Sequence, residues 1–397
     1  MSKDPIVIVG AARTPMGAFQ GSLSKMRASE LGAHTIEAAI TRSGLTSDSV
    51  EETIFGCVLT AGQGQAPARQ AAIKANIPVR AGATTVNKMC GSGMKSAMLA
   101  HDLLHAGSID VAVAGGMESM TNAPYLLDRA RSGYRMGHGR TIDHMFMDGL
   151  EDAYEKGSLM GIFAEQCAEE FQFSRELQDE YAIRSLTRAQ ASIAEGRFAA
   201  EIAPVTLPAD KSFAAQTISV DEQPGKARID KIPTLRPAFR PDGTVTAANS
   251  SSISDGAAAL VLMRRSEADK RGLTPLATVV GHATHGDAPN RFPVAPVQAI
   301  RNLIEKIDWQ IGDVDLFEIN EAFAVVPMAA MRELGLNAER VNINGGACAL
   351  GHPIGASGAR IIVTLLAALR EAKLRRGIAS VCIGGGEATA LAIETCS

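Results

Sequence analysis

One short pattern occurs twice in this chain, and that repetition constrains the fold more than any composition figure. In the first copy, Thr84-Thr85-Val86-Asn87 leads into a Gly-rich turn. An apolar helix through Leu104, a strand at residues 111–114 and then Gly115-Gly116-Met117-Glu118 follow. In the second, Val341-Asn342 leads into a Gly-rich turn, a helix over 359–369, a strand over 380–383 and Gly384-Gly385-Gly386-Glu387. Either match alone is weak, but their shared order favours an internal duplication. Apolar runs at 6–9 (ending at Gly10), 53–59, 277–283 and 314–319 read as strands. Ala33, Ile36 and Ile40, and later Ile300, Leu303 and Ile304, recur at helical spacing. Strands alternating with helices predict an α/β fold.

Residues from about 120 to 248 break this pattern. They carry Arg129, Arg131, Arg135 and Arg140, an amphipathic helix with Ser174 as its N-cap, and Pro-containing loops. Their complexity is too high for a linker, so the stretch reads as an inserted subdomain. A chain of 397 residues is also too long for one ordinary core. With 46% hydrophobic and 21% charged residues it has the make-up of a soluble globular protein. The longest apolar runs, such as 361–369, fall well short of the roughly 20 residues a membrane span needs. Met1 to Asp4 lead straight into residues 6–9 without a basic segment or cleavage site, so a cytoplasmic protein is expected. A net charge of −4, with four Tyr and one Trp, argues against a nucleic-acid partner. The cysteines at 57, 90, 167, 348, 382 and 396 form no C-x-x-C pair, and no histidine lies at ligand spacing beside them. Neither structural zinc nor disulfides are expected, which leaves free thiols.

Four stretches carry residue types suited to chemistry. In Asn87-Lys88-Met89-Cys90-Gly91-Ser92-Gly93-Met94, a thiol sits where a strand ends and a helix begins. Free N–H groups and partial positive charge at a helix start favour thiolate over thiol. The plain alternative is a buried Cys filling a turn. A dinucleotide loop is excluded, because Ser96 stands where its third glycine belongs. The second stretch, Gly-rich 344–358, holds His352, either a general base for a nearby thiol or a hydrogen-bonded loop anchor. Cys348, also there, is a rival nucleophile without the strand-to-helix placement. The third is Cys382-Ile383-Gly384-Gly385-Gly386-Glu387, a Cys at a strand end beside N–H groups able to hold an oxyanion, or else a structural Cys. In the fourth, Glu318-Ile319-Asn320-Glu321-Ala322-Phe323, Asn320 is either an N-cap or a group orienting a water or carbonyl. Duplication puts Cys90 and His352 at equivalent turns, so pseudo-twofold packing would bring both to one pocket. Two thiols and a base there suit a covalent thioester and a separate proton abstraction.

These four motifs, in this order and over essentially the whole chain, resemble those of the thiolase family. The resemblance implies a duplicated five-layered α-β-α-β-α fold. Residues 1–121 with about 249–271 would form the N-terminal half, 122–248 an inserted CoA-binding loop subdomain, and 272–397 the C-terminal half. It implies an acyl-CoA C-acyltransferase in which His352 activates Cys90, Cys90 carries the acyl group, and Cys382 deprotonates a second acetyl-CoA. His352 and a water on Asn320 would stabilise the enolate, and the N–H groups of Cys90 and Gly384 the tetrahedral intermediate. Met160, Ala238, Phe239, Ala247, Ser251, Ala322 and Phe323 would line the CoA site. Lys226, Arg228 and Lys231 would either meet CoA phosphates or form a solvated loop. Coenzyme A enters as substrate, with no cofactor or metal, and a homotetramer or homodimer is implied. One departure touches chain-length preference: Leu159-Met160 stands where biosynthetic members carry His-Met, after a segment (153–158) of shifted length. The rival readings are a decarboxylating β-ketoacyl synthase, which pairs its Cys with two histidines, and a catalytically silent CoA- or lipid-binding relative.

Overall fold

The computed structural model describes residues 4–209 and 214–396; Met1, Ser2 and Lys3 of the start read above lie outside them. Nine strands form one continuous path. They are β1 (Ile6–Arg13), β2 (Glu52–Gly56), β3 (Gly82–Val86), β4 (Val111–Ser119), β5 (Ser254–Arg264), β6 (Ala277–Gly286), β7 (Leu316–Ile319), β8 (Arg376–Ile383) and β9 (Glu387–Thr395). The principal helices are α1 (Ala28–Ser43), α2 (Pro67–Lys74), α3 (Ser92–His105), α4 (Met160–Glu170), α5 (Arg175–Ala194), α6 (Ala295–Ile307), α7 (Val325–Leu334) and α8 (Ile354–Glu371).

The strand order is β7-β8-β9-β6-β1-β5-β4-β2-β3, with the two-residue strand Gly17–Ala18 paired to β5 off this path. At its middle β1 and β6 run antiparallel, Val7 opposite Thr278 and Ile8 opposite Ala277. Outward from that seam the two sides match. β5 and β9 each run antiparallel to a neighbour on both flanks, and parallel pairing follows with β2 and β7. Beyond β2 lies β3, ending at Val86; beyond β7, Val341 makes a parallel bridge to Phe317. The twofold echo read from Val86-Asn87 and Val341-Asn342 is therefore positional.

Five layers follow from where apolar faces are buried. α1 and α2 cover one face of the N-terminal strands, packing Leu31, Ile36 and Ala71 against Val7, Val113 and Val261. α6 and α7 cover the far face of the C-terminal strands, with Ile300, Leu303 and Val326 against Phe317, Ile378 and Ala390. Between the two sets lie α3 and α8, whose Met94, Met98, Ile362 and Leu365 share one core with Leu260 and Val381. A helix buried on all sides must be apolar nearly all round, and α8 is buried at fifteen of its positions. No helix among the described residues is long and apolar enough to cross a membrane.

Several elements differ from their sequence reading for identifiable reasons. β1 does not end at Gly10. It continues to Arg13 through an irregularity in register, and a Cβ at residue 10 would meet the Ala39 carbonyl oxygen at 2.2 Å. Gly10 thus marks the approach of α1. Likewise β4 runs on through Gly115-Gly116 to Ser119, because the first turn of α8 lies against it: a Cβ at 116 would be 2.1 Å from the Gly355 oxygen. Gly384-Gly385-Gly386 instead makes the turn from β8 to β9. That part of the echo is a likeness of letters, not of position. In the first half the same junction, from β4 to β5, holds residues 120–253, including α4 and α5. Ser174 caps α5, its hydroxyl accepting the Leu177 N–H at 3.3 Å.

Candidate active site

Cys90 lies between the end of β3 and the first turn of α3. Its loop is shaped by Met89, held at φ +47°, and by Ser92, whose hydroxyl accepts the Lys88 N–H at 2.8 Å and donates to the Met89 carbonyl at 2.6 Å. Lys88 also pairs with Glu387 at 2.6 Å, tying this loop to the β8–β9 turn. The N–H groups of Gly384 and of Cys90 itself reach the Cys90 sulfur. They do not make it a resting thiolate. Burial raises its pKa, those N–H groups pull it back, the buried Glu118 charge pushes it up again, and the thiol stands at about 11. The expectation that the helix start alone favours thiolate is overturned, because desolvation outweighs the local dipoles. Cys90 needs a base.

His352 follows Gly351, which adopts φ +107°, and its N–H donates to the Ser252 carbonyl at 3.0 Å. Its Nδ1 lies 2.5 Å from Ser357 Oγ, and that hydroxyl also lies 2.9 Å from the Pro353 carbonyl. A hydroxyl has one proton, and a carbonyl can only accept. Ser357 therefore donates to Pro353, and His352 Nδ1 carries the hydrogen that Ser357 accepts. The bare lone pair is left on Nε2, which is buried without a partner. Burial first, and then the Arg360 cation, lower the imidazole pKa to about 3, so the ring is neutral at ordinary pH. This arrangement suits a base.

The two loops meet because α3 and α8 cross at glycines. A Cβ on Gly358 would sit 2.5 Å from the Met94 nitrogen, and one on Gly93 would sit 2.8 Å from the Ala359 nitrogen. Cys382, one residue inside the end of β8, is buried; burial and then the charge of Cys90 raise its thiol pKa, while its own N–H and that of Ala322 oppose the rise. Asn320 is buried just beyond β7, its Nδ2 3.5 Å from His352 Nδ1 and its Oδ1 3.5 Å from Arg360 Nη2. It caps no helix, since α7 begins only at Val325.

Cys90, His352 and Gly384 line a single cavity of about 350 Å³. Met160, Ala238, Phe239, Ala247, Ser251, Ala322 and Phe323 line the same cavity, as does Leu159. Cys382 and Asn320 are not among its lining residues; both are buried. The rival Cys348 borders a neighbouring cavity of about 330 Å³, its sulfur directed to the Glu321 carbonyl at 3.7 Å and its thiol pushed up by burial. Lys226, Arg228 and Lys231 border that second cavity, which shares Ala247 and Ser252 with the first. Each already faces a carboxylate: Lys226 pairs with Glu222 at 2.5 Å, and Arg228 and Lys231 with Asp230 at 3.0 and 3.9 Å.

Residues 6–266 match the model of the thiolase N-terminal domain, and residues 273–395 that of the thiolase C-terminal domain. The chain belongs to the thiolase family. It is 47% identical to an acetyl-CoA acetyltransferase of Cupriavidus necator, over 98% of this chain and 99% of that one. The solved acetyl-CoA acetyltransferase of Bacillus anthracis superposes with a TM-score of 0.96 at 40% identity, covering 99% of each chain. The Ascaris suum thiolase Acat5, solved in complex with coenzyme A, gives 0.93 at 40% identity over 99% of this chain and all of that one.

Four groups around this thiolase site were not singled out from the sequence. Glu118 is buried, and its carboxylate accepts the N–H groups of Val58, Leu59 and Gly355 at 3.0, 3.1 and 2.9 Å, joining the β2 end to the first turn of α8. Burial against those N–H groups leaves its pKa at about 7. Glu321 accepts from Tyr181, Ser185, Asn342 and the Cys348 N–H, fastening α5 to the histidine loop. Ser357 sets the tautomer of His352. Arg360, fully buried, lies 3.6 Å from Glu318. What marks these four polar groups is their burial, which one sequence does not show.

Proposed function

We propose that this thiolase is an acetyl-CoA C-acetyltransferase, joining two acetyl-CoA into acetoacetyl-CoA and CoA and cleaving that product in reverse. The observation that carries the reading is a neutral imidazole with a bare Nε2 on the same cavity as a thiol that needs deprotonation. The full-length likeness to acetyl-CoA acetyltransferases supports the acyl chemistry, and a relative solved with coenzyme A supports the ligand.

His352 Nε2 takes the Cys90 proton, and the sulfur attacks the thioester carbon of the first acetyl-CoA. The tetrahedral oxyanion is held by the N–H groups of Cys90 and Gly384. CoA leaves as thiolate and takes a proton from Cys382. The Cys382 thiolate then removes a methyl proton from the second acetyl-CoA, and the enolate carbon attacks the acetyl-Cys90 carbonyl. Cys90 leaves as thiolate and recovers its proton from His352, closing the cycle. The proton on Nε2 meanwhile makes that atom a donor to the enolate oxygen, together with a water on Asn320. One such donor contributes about 3–4 kcal/mol. Burial and Arg360 disfavour the imidazolium, so it lasts only while a thiolate stands near it. Met160, Ala238, Phe239, Ala247, Ser251, Ala322 and Phe323 line the path for pantetheine, and residues 122–248 serve as the CoA-binding loop subdomain between the halves 1–121 with 249–271 and 272–397.

We place the enzyme in the cytoplasm, in the metabolism of fatty acyl groups, as a homotetramer or homodimer without a further cofactor. The half-exposed edge strand β3, open on one side, supports self-association. Light scattering checks this: a mass of one chain overturns it. The decisive assay follows cleavage of acetoacetyl-CoA and longer 3-oxoacyl-CoA by free CoA, expected with acetoacetyl-CoA. No cleavage of any of them sinks the reading. A β-ketoacyl synthase is disfavoured because Cys382 stands where that class carries a second histidine.

A further inference from the structure

His101 and Asp102, near the end of α3, meet His282 of β6 across the seam between the two halves. Asp102 Oδ1 lies 3.1 Å from His101 Nδ1 and 2.9 Å from His282 Nε2. One ligand atom from each residue lies within 4.8 Å of the others, although Asp102 and His282 are 180 positions apart in the chain. The two imidazoles are mostly covered, at 17% and 10% side-chain exposure, while the carboxylate is 55% exposed. The cluster is thus walled on the imidazole side and open to solvent on the other. It lies far from the catalytic sulfur: His101 is eleven residues beyond Cys90, which along a helix is roughly 16 Å.

We propose that His101, Asp102 and His282 bind one divalent transition-metal ion of the zinc class, clamping α3 to β6. Two imidazoles and one carboxylate, with a solvent molecule in the open position, make a four-coordinate set suited to zinc or cobalt, not to magnesium or calcium, which prefer oxygen alone. Metal–ligand bonds of about 2.0–2.2 Å place tetrahedral ligand atoms roughly 3.4 Å apart, so the two Asp102 contacts need open by only a few tenths of an ångström, and the two ring nitrogens, within 4.8 Å of each other, need settle to the same spacing.

Burial, helped by nearby cations, favours the neutral state of the rings. Burial lowers the pKa of both His101 and His282, more than hydrogen bonds to Asp102 raise it; His105 and Lys306 add to the lowering for His101, and His101 and Lys306 for His282. Lys306 itself donates to the His282 carbonyl at 3.0 Å, and His105 stacks on His101 with ring centres 6.0 Å apart. Neutral rings need no net loss of protons to take up the ion. His101 moves its hydrogen from Nδ1 to Nε2, His282 from Nε2 to Nδ1, and Asp102 exchanges two N–H donors for the cation. Sequence spacing alone predicted no metal ligands, because the third ligand comes from the other half of the duplication.

Cobalt(II) titration of the full-length enzyme, read by visible absorption and by thermal unfolding, tests the site. The expected result is one ion per chain with weak ligand-field bands and a raised unfolding temperature. His101→Ala and His282→Gln should each weaken binding by at least about tenfold, with metal-free unfolding curves and acetoacetyl-CoA cleavage close to those of the parent. Binding that survives in both variants overturns the proposal, as does an intense sulfur-to-cobalt band, which would place the ion on a cysteine. So does an absence of binding to the parent. The ligand-field readout is independent of catalysis, so failure here leaves the acetyltransferase reading untouched.

Discussion

The chemistry of single residues in this site is set by desolvation. Cys90 has two N–H groups on its sulfur, yet burial keeps it a thiol with a pKa of about 11. Its folded pKa is raised, so the thiolate fraction grows as pH rises towards that value. Alkylation by iodoacetamide should therefore accelerate steadily from pH 7 to pH 10, and acetyl-CoA should block it. A plateau below pH 8 would show a resting thiolate instead, and faster labelling of Cys348 or Cys167 would show that the nucleophile is misassigned. Ser357 tests the tautomer argument. Ser357→Ala removes the hydroxyl acceptor that defines Nδ1 as the protonated nitrogen, so kcat should fall by roughly 10- to 100-fold with KM little changed. The rate of Cys90 alkylation at pH 8 should fall with it. An unaltered kcat would mean that Ser357 does not orient His352. Cys90, His352, Cys382 and Asn320 were all legible as candidates, because Cys, His and Asn beside glycines at strand ends are few. Ser357 and Glu118 were not, because nothing in the string marks a serine or a glutamate as buried.

Elements bring those residues together through close backbone approach. Cys90 precedes α3 and His352 precedes α8, so the angle and distance at which these helices cross decide whether sulfur and imidazole share a cavity. Glycine is needed where they touch. In Gly358→Ala the added methyl would lie 2.5 Å from the backbone nitrogen of Met94, which cannot swing aside as a side chain can. The cost should be about 1–3 kcal/mol of stability, read as a lower urea midpoint, with slower Cys90 acylation because the loops move apart. Unchanged stability and acylation would mean that the crossing tolerates more space than the distances allow. Element types were partly legible: apolar runs located β1, β2, β4, β6, β7 and β8, and Ser174 announced α5, whereas β5 and β9 were not read as strands. Their ends were not. Gly10 and Gly116 read as stop signals, whereas each lies within a strand against an approaching helix, and a glycine kept for contact is indistinguishable in sequence from one kept for a turn.

At the scale of the whole molecule, residues 120–253 are fastened to the sheet by buried charge. Arg13 of β1 is wholly buried; it donates to Asp221 at 2.7 and 2.9 Å and to Glu201 at 2.6 Å, under Phe198. Arg13→Ala leaves two carboxylates without their cation, and should cost about 3–5 kcal/mol in urea unfolding; a loss near zero would show that the insert is held by its apolar contacts alone. No local pattern pointed to Arg13, since its partners lie some two hundred positions away. The sequence by itself determined the duplication, the α/β class, the family and the candidates for the reacting groups, because strand and helix periods and Gly-bounded motifs are short-range properties written in neighbouring letters. Only the tertiary structure decided which glycines are contacts, which nitrogen of His352 is bare, whether Cys90 rests as thiol or thiolate, and that His282 meets Asp102. Each of those depends on burial and on groups distant in the chain, and a dielectric environment exists only once the chain has closed around it.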